Sequence, residues 1–108
     1  MMENIKIQMR KGVMEYCVLA ILANGDSYAP AIIAELKNAE MIVVEGTLYP
    51  LLTRLKNAGY LTYRWEESIQ GPPRKYYTLT TEGRSHLESL DEAWDTLVEQ
   101  INNIRNKH

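Results

Sequence analysis

Cysteine is almost absent from this sequence, which limits the kinds of site that the chain can form. Cys17 is the one cysteine among 108 residues, so an internal disulfide and a metal site built from several cysteines are excluded. It lies within an apolar stripe of helical spacing, which predicts a packed structural thiol rather than a nucleophile. The apolar runs all end well short of a membrane span, and no charged segment precedes a secretory apolar one. We therefore expect a cytoplasmic protein.

Groups suited to catalysis are also scarce. An enzyme needs a nucleophile with its base, a pair of carboxylates or a set of metal ligands. The sequence has two histidines, His86 on the last predicted helix and His108 at the C-terminus, and no glycine-rich phosphate loop. We therefore expect no catalytic activity, no metal site and no cofactor.

Positive charge is in slight deficit overall but is concentrated in one segment. The formal net charge is −2 at pH 7, with net −1 in residues 1–43, +2 in residues 44–80 and −3 in residues 81–108. The basic residues of the middle segment are Arg54, Lys56, Arg64, Arg74 and Lys75. A local basic patch can contact phosphates whatever the sign of the total charge. The charge balance is therefore compatible with a nucleic-acid partner.

The most informative helical pattern runs from Val44 to Tyr60, in the segment VEGTLYPLLTRLKNAGY. Its apolar residues have the spacing that places them on one face of a helix: Leu48, Leu51, Leu52 and Leu55. The opposite face is short, basic and rich in hydroxyl groups, which suits a nucleic-acid groove. Pro50 is tolerated if Thr47 is the N-cap, but it should bend a helix that begins near Glu45. We expect a start between these two residues, with a distorted first turn.

Two further helices are predicted upstream. Apolar periodicity indicates a buried helix from about Arg10 to Asn24, followed by a helix with Pro30 in its first turn. Asp26 or Ser27 is expected to cap this second helix. Residues 1–9 fit either a loose arm or an additional helical turn, and we assign them to a loose arm.

Downstream, the apolar period changes from 3.6 to 2, which predicts a β-hairpin. Leu61–Glu66 alternates apolar and polar residues and is expected to be a half-buried strand, with Tyr63 and Trp65 on its inner side. Residues 68–73, SIQGPP, have the composition of a turn, and residues 74–79, RKYYTL, alternate again.

The last predicted helix, capped by Thr80 or Thr81, has the longest apolar pattern. Its apolar residues are spaced by three and four as in a heptad seam: Leu87, Leu90, Trp94, Leu97, Ile101 and Ile104. So short a domain offers no obvious internal partner for this seam. We expect it to pack against a second copy of the chain in a two-fold dimer. The alternative is that the helix folds back onto the first helix of its own chain.

The order of elements predicts a mainly α fold with a small β-hairpin. Residues 1–80 would form a winged helix-turn-helix, and residues 81–108 a long C-terminal dimerisation helix of the same unit. In this fold the second helix of the pair enters the major groove, and the wing reaches the backbone or the minor groove. A dimer would present two such helices about one DNA turn apart, roughly 34–36 Å, to a palindromic operator.

Two motifs resemble the PadR family of bacterial transcriptional regulators. One is GTLYPLL at residues 46–52, continuing to Arg54-Leu55 and Gly59-Tyr60-Leu61, and the other is RKYYTLT at residues 74–80 with Glu82-Gly83. The short length resembles the compact subgroup of that family. The resemblance implies that the recognition helix and the wing contact double-stranded DNA. The residues expected to do so are Thr47, Tyr49, Pro50, Thr53, Arg54, Lys56, Arg74 and Lys75. For Arg54 and Lys56 the alternative is a solvated helix face.

Trp94 suggests a second site. A tryptophan in a helical seam is usually a large core residue. In one multidrug-sensing repressor of the compact subgroup, which this chain resembles, paired tryptophans of the two last helices line a flat apolar channel at the dimer interface. The resemblance therefore implies that an aromatic or multidrug-type ligand stacks on Trp94. The residues expected to share this pocket are Val98, Met9, Met14 and Tyr16.

These features together predict a dimeric transcriptional repressor that a ligand or partner releases from DNA by changing the spacing of the recognition helices. The alternative is a winged-helix module that binds proteins and never touches DNA. The basic wing and recognition helix favour DNA, because a module that binds only proteins does not require them.

Overall fold

The computed structural model describes the backbone of residues 2–107 and the side chains of residues 5–107. Met1 and His108, at the outer ends of the predicted segments 1–80 and 81–108, lie outside the described residues. Within them the elements follow in the order α1 (Met2–Arg10), α2 (Met14–Ala23), α3 (Ala29–Asn38), α4 (Glu45–Asn57), β1 (Leu61–Glu66), β2 (Arg74–Leu79) and α5 (Thr81–Arg105). The mainly α fold with one hairpin and a long last helix is confirmed.

One hydrophobic core forms where α2, α3, α4, the hairpin and the start of α5 meet. Its most completely buried large side chains are Val18, Leu19, Leu22, Ile32, Leu48, Leu52 and Leu55. All four leucines predicted to share a face of α4 are buried, so that prediction is confirmed. Burial of each leucine stabilises the fold by about 1.5–3 kcal/mol. The packing holds α4 by its apolar face and leaves the other face exposed.

The N-terminal part of the chain differs from the prediction. A helix, α1, replaces the loose arm predicted for residues 1–9. The helix predicted to start near Arg10 starts only at Met14, because residues 11–13, which include Gly12, form a turn. The apolar side chains of α1 that the structure describes (Ile5, Ile7 and Met9) remain exposed, so they add little to the core.

The connection between α2 and α3 forms contacts with both strands of the hairpin. Neither Asp26 nor Ser27 caps α3, contrary to the prediction, since Tyr28 is the N-cap residue and makes no side-chain capping hydrogen bond. Instead, the Asp26 carboxylate accepts a hydrogen bond from Arg64 of β1 at 2.5 Å. The backbone of Ser27 forms an isolated antiparallel bridge with Tyr77 of β2. Both potential caps are thus used by tertiary contacts.

Helix α4 begins at Glu45, within the expected range, and contains a proline in its interior. Thr47 is not the N-cap; Val44 occupies that position, and its carbonyl accepts from the amide of Thr47 at 3.0 Å. Pro50 is the sixth helical residue and cannot donate to the carbonyl of Gly46, four residues earlier.

Strands β1 and β2 pair antiparallel from Leu61↔Leu79 to Glu66↔Arg74. The predicted hairpin is therefore confirmed. The predicted half-buried face of β1 is wrong beyond Leu61, because Tyr63 remains 37% exposed and Trp65 62% exposed. These two rings line the space beside α4 instead of entering the core.

The start of α5 is fixed by the predicted threonine cap. Thr80 Oγ1 accepts a hydrogen bond from the amide of Gly83 at 2.9 Å and donates one to the carbonyl of Gly59 at 2.7 Å. The cap thereby joins α5 to the segment that follows α4. No helix in the described part of the chain is long and apolar enough to cross a membrane.

The apolar seam of α5 is divided between two environments. Leu87 is only 8% exposed and Leu90 packs against the core, so the first part of α5 does fold back against α2. Leu87 is therefore used within its own chain, which corrects its assignment to a dimer interface. The rest of the seam is 42–68% exposed in the single chain: Trp94, Leu97, Ile101 and Ile104.

Candidate nucleic-acid interface

The exposed face of α4 holds most of the residues predicted to contact DNA. Those on α4 are all exposed: Thr47, Tyr49, Pro50, Thr53, Arg54 and Lys56. On the wing, Arg74 is exposed, whereas Lys75 is half-buried. The leucine face on the opposite side of α4 fixes this orientation, because turning the helix would expose the core.

A cleft separates α4 from the hairpin. It has a volume of about 440 Å³, and we call it the wing cleft. Its wall includes Tyr28 at the start of α3, Tyr49 of α4, and Trp65, Arg74 and Lys75 of the hairpin. Aromatic rings and two cations thus share this one depression.

A smaller cleft of about 130 Å³ also lies between α4 and the hairpin. Thr53 and Lys56 line it from α4, and Tyr63 and Lys75 line it from the hairpin. Lys75 is common to the two clefts and therefore borders both of these spaces.

On its other side, α4 faces the turn between α1 and α2. A cleft of about 380 Å³ there is lined by Lys11, Glu15, Thr47, Pro50 and Arg54, among others. The predicted residues of α4 therefore divide into a hairpin side and an α1–α2 side. Sequence reasoning missed Lys11, because only the packing of α2 against the core brings this exposed lysine beside Arg54.

Aromatic rings hold the ammonium group of Lys75. Its Nζ atom lies 4.0 Å from the ring centroid of Tyr63, 5.5 Å from that of Tyr77 and 5.8 Å from that of Trp65. Lys56 of α4 also approaches Tyr63, at 5.8 Å. These distances are within the range of cation–π attraction.

The guanidinium group of Arg74 also lies over a ring, at 4.9 Å from the centroid of Tyr28. Arg64 is placed at 5.3 Å over Tyr76. It differs from Lys75 in its charged neighbours, since it pairs with Asp26 at 2.5 Å and with Glu66 at 3.4 Å. The hydrogen bond to Asp26 raises the pKa of Arg64. Arg64 therefore has its charge compensated within the chain.

The described residues contain no group of three or more His, Cys, Asp or Glu side chains that could hold a metal ion. Cys17 is half-buried, and its Sγ atom lies 3.9 Å from Sδ of Met41. Burial raises the pKa of the Cys17 thiol, which disfavours the reactive thiolate. The packed thiol predicted from the sequence matches this environment.

The residues predicted to line a ligand pocket are only partly brought together. Tyr16 lies beside Trp94, with ring centroids 6.3 Å apart. Its hydroxyl donates to the Asp91 carboxylate, which raises the pKa of Tyr16 to about 12. Val98, one turn beyond Trp94, is half-buried.

The two methionines of the predicted pocket lie on or near α1. Met9 is exposed on α1 itself. Met14 packs against the core and also lines a cleft of about 370 Å³ with Ile7 and Val44. Within one chain, Tyr16 is thus the predicted pocket residue that the structure pairs with Trp94.

Comparison with known proteins gives consistent matches. The sequence model described as "Transcriptional regulator PadR-like family" matches residues 18–89. A PadR-like transcription factor from Bacteroides fragilis is 57% identical with a TM-score of 0.80, covering 94% of this chain and 98% of that one. A PadR family regulator from Eggerthella lenta has a TM-score of 0.91 at 27% identity, covering 99% and 94%. The Bacillus subtilis PadR structure, solved with operator DNA, has a TM-score of 0.67 at 26% identity, covering 72% of this chain and 46% of that one.

Proposed function

This chain belongs to the PadR-like family of transcriptional regulators, and from that membership we propose that it is a dimeric repressor of a palindromic operator. Members of this family regulate transcription and are not enzymes. The similar Bacillus subtilis PadR binds operator DNA, which supports duplex DNA as the partner of this chain.

The observation that carries the proposal is the composition of the exposed face of α4 and its surroundings. Hydroxyl groups and Arg54 can donate hydrogen bonds to phosphates or base edges. Cations border the helix on both sides, with Lys11 beside the α1–α2 turn and Lys75 on the hairpin. We propose that α4 enters the major groove while Arg74 and Lys75 bind the flanking backbone.

The exposed part of the α5 seam supports dimerisation. Trp94, Leu97, Ile101 and Ile104 form an apolar stripe that remains 42–68% exposed in the single chain. Isolated apolar side chains on a surface are common, but a continuous stripe of helical spacing is typical of an interface. A second copy would cover it and pair two recognition helices for the two halves of an operator.

Release by a ligand is the final part of the proposal. The Tyr16–Trp94 pair places two aromatic rings on the side of α5 that carries the exposed stripe. A planar aromatic ligand bound between two such pairs would change the separation of the two DNA-binding units. The ligand would favour release only if it bound the dimer more tightly when the two DNA-binding units are at the separation that does not fit the operator.

The test is a mobility shift of the purified protein on the DNA upstream of its own gene, over a series of salt concentrations. Arg54→Ala and Lys75→Ala should weaken binding and flatten its dependence on salt, because each removes a phosphate contact. Arg84→Ala is the matched control, since it removes an exposed cation of α5 outside the interface.

A shift that persists unchanged in both interface variants would contradict the assignment of these residues. No specific shift on that DNA or in a pool of random duplexes, from a protein shown to be folded and dimeric, would favour the protein-binding module instead.

A further inference from the structure

We propose that Tyr63 and Trp65 are positioning residues: they hold the Lys75 ammonium beside α4 with its charge uncompensated, ready for a DNA phosphate. The inference rests on the proposed DNA-binding function and adds the means by which the wing presents its cation. It also separates the basic residues of the hairpin into those available to DNA and those already paired.

The rings of Tyr63 and Trp65 are exposed to an unusual degree for a strand of a hairpin that packs on the core. Leu61, Tyr63 and Trp65 share a face of β1, yet only Leu61 reaches the core. A tryptophan and a tyrosine on a short hairpin therefore contribute little to core burial. Their surroundings show another use, since both rings line the clefts beside α4.

The strand register brings Lys75 and the aromatic side chains to one face of the hairpin. Trp65 lies directly opposite Lys75, and Tyr63 lies directly opposite Tyr77. Directly opposed residues project on the same side of an antiparallel sheet, so the four side chains form one cluster. The Lys75 Nζ atom lies 4.0–5.8 Å from the three ring centroids of that cluster. The register thus fixes the lysine between rings, whereas a lysine on a bare strand samples many rotamers.

Lys75 differs from Arg64, which also lies over an aromatic ring, in its charged neighbours. Two carboxylates compensate the charge of Arg64, but no salt bridge within the described residues involves Lys75. A ring attracts a cation through its quadrupole and leaves the net charge in place. A carboxylate cancels that charge and competes directly with a phosphate. Lys75 is therefore oriented without being neutralised.

Lys75 lies between the hairpin and α4, the helix that we propose enters the major groove. Lys75 borders both clefts between α4 and the hairpin. With α4 in the major groove and the wing at the neighbouring minor groove, the sugar–phosphate strand between the grooves crosses this region. The partner of the cluster is therefore one backbone strand of duplex DNA.

The experiment measures DNA affinity over a salt series for wild type, Lys75→Gln, the ring variant Tyr63→Leu/Trp65→Leu, and the combination of all three changes. Lys75→Gln should reduce the slope of log affinity against log salt by about 1. The ring variant should bind about 2- to 30-fold more weakly, the range expected for a cation–π contact. In the Lys75→Gln background the ring changes should cost clearly less affinity, because the Lys75 cation is gone and only the longer Lys56–Tyr63 contact, at 5.8 Å, remains to be lost.

Two further variants separate positioning from general damage to the hairpin. Trp65→Phe together with Tyr63→Phe keeps both ring faces and should restore most of the affinity. Asp26→Asn/Arg64→Gln removes the compensated pair on the other face at constant net charge and should leave the salt slope unchanged. Ring-current shifts of the Lys75 ε protons by NMR should fall in the leucine variant to the contribution of the remaining Tyr77 ring and persist in the phenylalanine variant. Circular dichroism verifies that each variant is folded.

The possible failures can be told apart. If wild type binds duplex DNA but the ring changes cost the same affinity with and without Lys75, the rings do not act through this lysine and the inference is overturned alone. An equal change of salt slope in Asp26→Asn/Arg64→Gln would overturn it too. If wild type binds no duplex at all, the proposed function fails and the inference fails with it.

Discussion

Gly83 shows how one residue sets the junction between α5 and the preceding segment. A Cβ atom at this position would lie 2.1 Å from the backbone oxygen of Tyr60 and 2.7 Å from Cδ1 of Leu79. The amide of Gly83 also donates to the Thr80 cap. The first turn of α5 can therefore approach the end of the hairpin this closely only if residue 83 has no side chain.

Gly83→Ala is expected to lower the free energy of unfolding by about 1–3 kcal/mol, as overpacking typically does. The helical preference of alanine over glycine, about 1 kcal/mol, acts in the opposite direction but is outweighed by a clash with backbone. Urea denaturation measures the difference. Gly46→Ala is the control, since no atom lies within 4 Å of its added Cβ. A Gly83→Ala protein as stable as wild type would show that the junction can shift.

Single residues also show where sequence reasoning ends. Arg64, Arg74 and Lys75 look alike in the sequence, as basic groups on a predicted hairpin. The structure separates them, because Asp26 lies close to Arg64 although 38 positions away in the chain. Whether the charge of a lysine or arginine is available to a phosphate or is compensated by a carboxylate depends on such long-range neighbours. A local sequence pattern cannot identify these neighbours.

At the scale of elements, α4 combines a strongly buried face with one missing backbone hydrogen bond. Its four leucines anchor it, while Pro50 leaves the carbonyl of Gly46 without its usual helical donor. The buried face offsets this cost. The exposed side of the same helix is where the proline ring lies, next to Thr47 and Arg54.

Pro50→Ala should stabilise the fold, by up to about 3 kcal/mol, because it supplies the missing amide donor. The same change should weaken operator binding, because it removes an apolar ring from the side of α4 that we propose faces the major groove and changes the shape of the first turns of α4. Thermal unfolding and mobility shifts measure the two effects. Pro30→Ala is the control for stability, since Pro30 lies in the first turn of α3, where no helical donor is missing. Stronger DNA binding by Pro50→Ala would contradict a functional role for the proline.

The existence and type of most elements followed from periodicity, because the spacing of apolar residues reports directly which face must be buried. Their boundaries and caps followed less well. Helix α1 was missed because its apolar side chains do not pack on the core of its own chain, and the cap of α3 was missed because Asp26 and Ser27 bind the hairpin.

At the scale of the whole molecule, the single chain is elongated, with extents of 59 × 34 × 20 Å. Helices α2, α3 and α4, the hairpin and the first part of α5 enclose the core, whereas the distal half of α5 has an apolar stripe that remains 42–68% exposed. An exposed apolar stripe is unfavourable in a monomer, since burial of apolar area is the main favourable term in folding and association.

Leu97→Glu/Ile101→Glu should convert the proposed dimer to monomers, because two charges on the stripe could be buried only at high cost. Sedimentation equilibrium measures the mass. Binding to a palindromic site should fall far more than binding to a half-site, since only a dimer engages both halves. Asn103→Glu places one such charge on the other side of α5 and should leave the proposed dimer intact. A wild-type protein that sediments as a monomer would refute dimerisation through α5.

The sequence by itself determined the order of helices and strands, the leucine face of α4, the hairpin and its turn, and the family. These are encoded by neighbours within a few positions: the helical and strand periods, a threonine cap, and short motifs. Only the tertiary structure decided which cations stay uncompensated, that Tyr63 and Trp65 line clefts beside α4, and that the α5 seam divides between the chain's own core and an exposed stripe. The physical reason is distance along the chain, because charge compensation and burial depend on residues that only folding brings together.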